Sequence, residues 1–222
     1  MGELVKGVDV SSHQPRNMPW KALWSAGFRF CWVRLCYGST PDIDAAYHVA
    51  GAQEVGMAVG GYIYTTSVHD YERQLDVFLA RLAYYGLGSE GSLIPAVDIE
   101  EANPTKEYLD ASVNMLDAVC GKYGASVLYT GCAYFETHLR AYTSAKTAVR
   151  WLARYPAAPG DPMNWAGNPD PRVPAKRPSD PPFGLGWSVH QERVTKVPGV
   201  YDQLLDQNVT RDLGALKLRG RS

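Results

Sequence analysis

The sequence predicts an α/β protein folded as a single TIM-like barrel, and three observations carry that reading. Short apolar runs rich in branched and aromatic residues alternate with segments whose apolar residues recur at helical spacing, the order expected of parallel strands joined by helical crossovers. Two of the runs stop abruptly at acids, Asp9 in the first and Asp98 and Glu100 in a central one, and chemistry in such barrels gathers at the C-terminal ends of strands. The length of 222 residues suits one large domain. No internal repeat or second module interrupts it, so residues 1–222 are expected to form one barrel domain.

The elements follow in order. Leu4 to Val10 forms a first strand, and Trp20 to Ala26 a short helix closed by Gly27. Phe28 to Cys36 is a second strand. Asp42 or Asp44 caps a helix running to about Val55 and stopped by Gly56. Met57 to Thr65 is a third strand, with Gly60 and Gly61 allowing close approach and Tyr62 and Tyr64 on one face. His69 to Tyr85 carries Leu75, Phe78, Leu79 and Leu82 at amphipathic spacing and ends at Gly86. After the acidic strand, Thr105 caps a helix over Lys106 to Lys122. Ser126 to Thr130, Cys132 to Tyr142 and Ala148 to Tyr155 continue as strand, helix and strand.

The rhythm breaks over residues 156–186, which hold nine of the fifteen prolines. This is a surface loop, and Trp165, Arg172, Lys176 and Arg177 are candidates for a lip on a binding groove. Trp187 to Gln191 and Leu204 to Val209 supply two short closing strands, the second carrying Asp206 and Asn208, and a final short helix from Arg211 covers the barrel bottom.

The chain is organised around Ile94-Pro95-Ala96-Val97-Asp98-Ile99-Glu100-Glu101. An apolar run of this length is a strand buried on both faces. Alternation then sends Asp98 and Glu100 to one side, with Cβ atoms roughly 6 to 7 Å apart, and Glu101 to the other. Two carboxyls so placed fit glycosidic bond cleavage, in which one is a protonated acid and the other an ionised partner. Their mutual repulsion separates the two roles. Barrel closure would bring Asp9 and Asp206 to the same place.

Composition narrows the partner. With a net charge of -1 and no block of like charges, nothing points to nucleic acid or an anionic membrane, and a neutral polymer is the easier partner. No apolar run of about 18 residues is present and no signal peptide is expected, and Lys6 spoils the myristoylation pattern begun by Met1-Gly2. Cys31, Cys36, Cys120 and Cys132 lack C-x-x-C spacing. They are expected to be buried free thiols, with Cys31 and Cys36 on opposite faces if their strand is regular. No pattern calls for a metal or an organic cofactor.

Gly7-Val8-Asp9-Val10-Ser11-Ser12-His13-Gln14, Pro95-Ala96-Val97-Asp98-Ile99-Glu100, Trp151-Leu152-Ala153-Arg154-Tyr155 and Val197-Pro198-Gly199-Val200 with Asp206-Gln207-Asn208 together resemble the lysozymes of glycoside hydrolase family 25. The resemblance implies a (β/α)5β3 barrel that cleaves the β-1,4 bond from N-acetylmuramic acid to N-acetylglucosamine in bacterial peptidoglycan. It makes Glu100 the general acid and Asp98 its partner, either as nucleophile or as orienter of the substrate's acetamido group. Asp9 and Asp206 become supporting acids, with Tyr62 a site tyrosine. Tyr64, Tyr129, Trp151 and Gln191 join Tyr62 as candidates for sugar binding, the aromatic rings by stacking on sugar faces.

The second strand departs from the family pattern at Arg34-Leu35-Cys36-Tyr37-Gly38, which lacks an acidic residue, and the third at Tyr62-Ile63-Tyr64. The expected protein is a monomer acting on the cell wall, released through a holin-type pore if encoded by a phage and otherwise extracellular. Two other readings stay open: a catalytically silent peptidoglycan-binding protein on the same scaffold, and a hydrolase of a related polymer such as chitin.

Overall fold

A computed structural model describes residues 4–154 and 186–219. In chain order the elements are β1 (Val5–Val10), α1 (Trp20–Ser25), β2 (Phe28–Tyr37), β3 (Thr40–Pro41), α2 (Ala45–Glu54), β4 (Ala58–Tyr64), α3 (Tyr71–Tyr84), β5 (Ala96–Asp98) and α4 (Lys106–Tyr123). There follow β6 (Val127–Gly131), α5 (Cys132–Tyr134), a π-helical turn (Phe135–Leu139), α6 (Thr143–Thr147), β7 (Val149–Ala153), β8 (Val189–Val197), β9 (Tyr201–Thr210) and a 3-10 turn (Gly214–Leu216). Strands β1, β2, β4, β5, β6, β7 and β8 pair in parallel, while β9 runs antiparallel to both β8 and β1 and so closes an eight-stranded barrel. Five strand–helix units followed by three strands give the (β/α)5β3 architecture. The two-residue β3, a hairpin return on β2, lies outside the ring.

Alternation sorts the side chains into two layers. Cys31, Val33, Val59, Ile63, Val97, Leu128 and Leu152 face outward and pack with the helices, whereas Phe30, Trp32, Ala96, Val127 and Trp151 face inward. The inward rings fill the N-terminal end because their neighbours carry no side chain: a Cβ on Gly7 would lie 2.1 Å from the Phe30 ring, and one on Gly60 2.7 Å from the Trp32 indole. The C-terminal segment seals that end. Leu216 and Leu218 join the inner cluster, held by Ile94 N–H donating to the Leu216 carbonyl (2.8 Å) and Leu218 N–H to that of Ser92 (2.8 Å). The expected closing helix is thus a single 3-10 turn and an extended strap, and it does cover the bottom.

Local signals hold at several ends. The Thr105 hydroxyl accepts from Tyr108 N–H (3.1 Å), and Gly124 ends α4 at φ +83°. Asp70 caps α3 by accepting from Arg73 N–H (2.8 Å). At α2 the work is shared: Asp44 holds the cap position, its carbonyl accepting from Tyr47 N–H (3.1 Å) and His48 N–H (3.2 Å) while its side chain makes no cap bond, and the Asp42 carboxylate accepts from Asp44 N–H (3.0 Å).

Four expectations are corrected. The helix expected over Cys132 to Tyr142 is one short turn, α5, running straight into the π-helical turn and ending at Leu139, with α6 a separate element beyond it. The two closing strands are longer than expected and form one hairpin, because antiparallel pairing continues out to Val197↔Tyr201. A bulge between Arg34 and Cys36 breaks the alternation of β2, so Cys31 and Cys36 both lie in the outer layer rather than on opposite faces. All four thiols are free, but Cys120 is exposed. The proline-rich stretch, with Trp165, Arg172, Lys176 and Arg177, lies outside the described residues apart from Gly186.

Candidate active site

The barrel's C-terminal end opens into a cleft of about 430 Å³. Asp9 reaches it from the end of β1, Asp98 from the last residue of β5, Glu100 from two residues beyond, and Asp206 from β9, where it is the register partner of Asp9. Tyr62, Tyr64, Tyr129, Trp151 and Gln191 line the same cleft. All residues expected from the sequence to act on substrate are therefore brought together. Added to them are Arg34, Tyr37, His13 and Gln14, for which the sequence alone suggests no role, and Asn208 beneath them.

The segment carrying Asp98 and Glu100 is fastened on both sides. Thr65 donates its N–H (3.0 Å) and its hydroxyl (2.8 Å) to the Asp98 carbonyl, Ile99 N–H donates to the Tyr129 carbonyl (3.1 Å), and the Thr130 hydroxyl to that of Ile99 (2.8 Å). Glu101 points away, as alternation requires, and accepts from the N–H (2.6 Å) and the hydroxyl of Ser67. The carboxyls are thus displayed by backbone that has no slack.

Beneath them lies a hydrogen-bond network. Asp9 Oδ2 accepts from Asn208 Nδ2 (2.7 Å) and Gln191 Nε2 (2.9 Å). Gln191 Nε2 also donates to Asp206 Oδ1 (3.1 Å), and its Oε1 accepts from the Tyr129 hydroxyl (2.7 Å). Asn208 Oδ1 accepts from the Trp151 indole (2.7 Å). Trp151 stacks on Trp32 (4.7 Å between centroids) and takes the edges of Tyr62 and Tyr129. Being 1% exposed, it forms the cleft floor and leaves little ring face for a sugar. Tyr37 is different: the bulge turns it into the cleft, 45% exposed and parallel to Tyr64 at 5.0 Å. No local sequence signal reveals a bulge, whereas Asn208 was visible two residues past Asp206.

Four carboxyls in one desolvated place raise one another's affinity for protons. Burial, then the charge of Asp9, pushes Glu100 up to about 7. Burial pushes Asp9 up to about 6 against its two carboxamide donors. Asp98 stands well above the ordinary range through burial, then Glu100 and Asp9, with Arg34 pulling the other way. Asp206 is raised by burial, then by Asp9 and Glu100. Arg34 is the one lysine or arginine among the described residues lining the cleft, and it is itself held by Asp42 (2.9 Å) and the Ser12 hydroxyl (2.9 Å). Asp98 is 4% exposed, and its Oδ1 meets no donor among the described residues. Among the described residues no His, Cys, Asp and Glu group has a metal-holding arrangement, and no helix is long and apolar enough to cross a membrane.

Comparison with known proteins bears on the fold and the family. The structure is similar to the catalytic domain of an endolysin from a Listeria monocytogenes bacteriophage (22% identity, TM-score 0.74, 97% of each chain). It is also similar to a family 25 glycosyl hydrolase from Bacillus anthracis (19%, TM-score 0.73, 95% of this chain and 90% of that one), and to a bacterial lysozyme from Streptomyces coelicolor (18%, TM-score 0.71, 97% and 95%). No curated protein matches the chain in sequence. The description "Glycosyl hydrolases family 25" does match, over residues 8–170, a stretch that includes Asp9, Asp98 and Glu100. The chain accordingly belongs to glycosyl hydrolase family 25 and is a glycoside hydrolase.

Proposed function

We propose that this chain is a muramidase that hydrolyses the β-1,4 bond between N-acetylmuramic acid and N-acetylglucosamine in bacterial peptidoglycan. The observation that carries the reading is the pairing of Glu100, held up to about 7, with Asp98, which lines the same cleft and whose buried Oδ1 meets no donor among the described residues. Glu100 keeps its proton at pH values where an ordinary glutamate has lost it, so it donates that proton to the bridging oxygen as the glycosidic bond breaks. Positive charge then develops on the sugar ring, and Asp98, Asp9 and Asp206 stabilise it. Asp98 acts either by bonding to the sugar carbon or by accepting the N–H of the substrate's acetamido group, whose carbonyl oxygen then attacks. Water, deprotonated by Glu100, completes hydrolysis with retention of configuration. Tyr62, Tyr64 and Tyr129 line the sugar path, Trp151 forms its floor and Gln191 fixes the acids. The chain acts on the bacterial cell wall as a single monomeric catalytic domain; if phage-encoded, it reaches the wall through a holin-type pore.

Mass spectrometry of fragments released from purified peptidoglycan tests this. New reducing ends on muramic acid, reducible by borohydride, are the expected product. Reducing ends on glucosamine would move the cut to the other bond. Wall binding without new ends would favour a silent binder, and cleavage of chitin in preference to peptidoglycan a related hydrolase.

A further inference from the structure

Asp9 stands apart from the other acids in how it is held. The indole N–H can only donate, so Trp151 dictates that the Asn208 oxygen faces it and that the Asn208 NH2 faces Asp9. Trp151 cannot turn, because Trp32 covers one ring face and Tyr62 and Tyr129 abut it. On Gln191 the two carboxylates make the same choice: its NH2 spans Asp9 and Asp206, and its oxygen is left to accept from the Tyr129 hydroxyl. Asp9 Oδ2 thus receives two N–H donors, Asp206 Oδ1 receives one, and Asp98 Oδ1 receives none. Donors aimed at a carboxylate oxygen favour its charged form.

We propose that Asn208 and Gln191 are positioning residues that hold Asp9 as the fixed negative charge of the cleft, and that Glu100 retains its transferable proton through that charge. This rests on reading Glu100 as the proton donor. The groups around Asp9 come from several elements: Cys31 and Arg34 on β2, Tyr62 on β4, Asp98 and Glu100 at the end of β5, and Asp206 on β9, with His13 beyond β1 also lining the cleft. Arg34 is the one fixed cation in that set, and Asp42 and Ser12 hold it. A charge on Asp9 therefore acts mainly on other acids: it is among the influences that raise Glu100, Asp98 and Asp206.

The consequence has a definite sign. Without its donors, buried Asp9 takes up a proton at higher pH, stops opposing the charge on Glu100, and lets Glu100 ionise at lower pH. In Asn208→Leu the basic limb of the kcat–pH profile on purified peptidoglycan should move down by about one unit, roughly a tenfold loss of turnover above the native midpoint. Gln191→Met should move it the same way by less. Carbon-13 NMR titration of the carboxyls without substrate should show Asp9 ionising before Glu100 in the native protein, and the Glu100 midpoint falling in both variants.

An even loss of kcat at every pH with the limb unmoved would make the carboxamides structural only and overturn the proposal. Glu100 ionising before Asp9 in the native protein would overturn it with no variant needed, so the test survives if either variant fails to fold. If native protein leaves peptidoglycan uncut while the NMR midpoints behave as stated, the muramidase reading fails and the assignment of Asn208 and Gln191 stands.

Discussion

One residue separates Trp32 from Arg34, Ala96 from Asp98 and Gly7 from Asp9. In each pair the first belongs to the packed N-terminal end of the barrel and the second to the charged cleft at its other end. The strands and the inward face are the same, so only depth along the axis differs. At the packed end, Phe30, Trp32, Leu93 and Leu216 are all within 1% of full burial and have no charge among them. At the cleft end, among the described residues, four acids share one lysine or arginine, Arg34. The difference teaches that the cleft is unfavourable when its acids ionise and persists because the packed end holds the strands in place around it.

Substitutions at the two ends should therefore behave oppositely. The largest effect belongs to Glu100→Gln, which keeps the shape and removes the transferable proton: release of reducing ends should fall roughly 10³- to 10⁴-fold, with the circular dichroism spectrum unchanged. A residual rate within tenfold of native would remove Glu100 from the donor role. Next comes Trp32→Ala, which empties a fully buried site and should destabilise by about 3 to 5 kcal/mol in urea titrations, by a similar amount at acid and alkaline pH.

The third prediction sets the ends against each other through pH. Glu100 at about 7 and Asp9 at about 6 bind protons more tightly than in an unfolded chain, so folding favours their neutral forms. Native stability should therefore be full below the ordinary carboxyl range and decline as pH rises through about 7. Glu100→Gln, the variant that abolishes turnover, should then be more stable than native by on the order of 2 kcal/mol at about pH 8 and no more stable at about pH 4. Equal stability at both would show that the cleft carries no such strain. The smallest effect is at the rim: Tyr37→Ala removes the outer ring of the Tyr37–Tyr64 pair and should raise KM about two- to tenfold with kcat nearly unchanged. A fall in kcat instead would make Tyr37 a structural prop for Tyr64.

Much of this molecule is legible along the chain because its rules are short-ranged. Thr105 caps and Gly124 stops α4 through contacts within a few residues. The alternation that aims Asp98 and Glu100 together, and Glu101 away, holds even though β5 ends at Asp98. Where the chain breaks its own period, reading fails. The bulge at Arg34/Cys36 takes its register from β4 and so hid Tyr37, and the π-helical turn at Phe135–Leu139 interrupts what reads as one helix. Trp151 looks like a sugar platform until its stacking on Trp32 is known.

The sequence by itself determined the order of strands and helices, the acids at strand ends and the family motifs, since these depend on residue type and on spacing along one strand. Only the tertiary structure decided how each acid is poised between charge and proton. That choice depends on donors that arrive from 182 and 199 positions away along the chain, Gln191 and Asn208 on Asp9. It also depends on desolvation, which no residue has until the barrel closes around it.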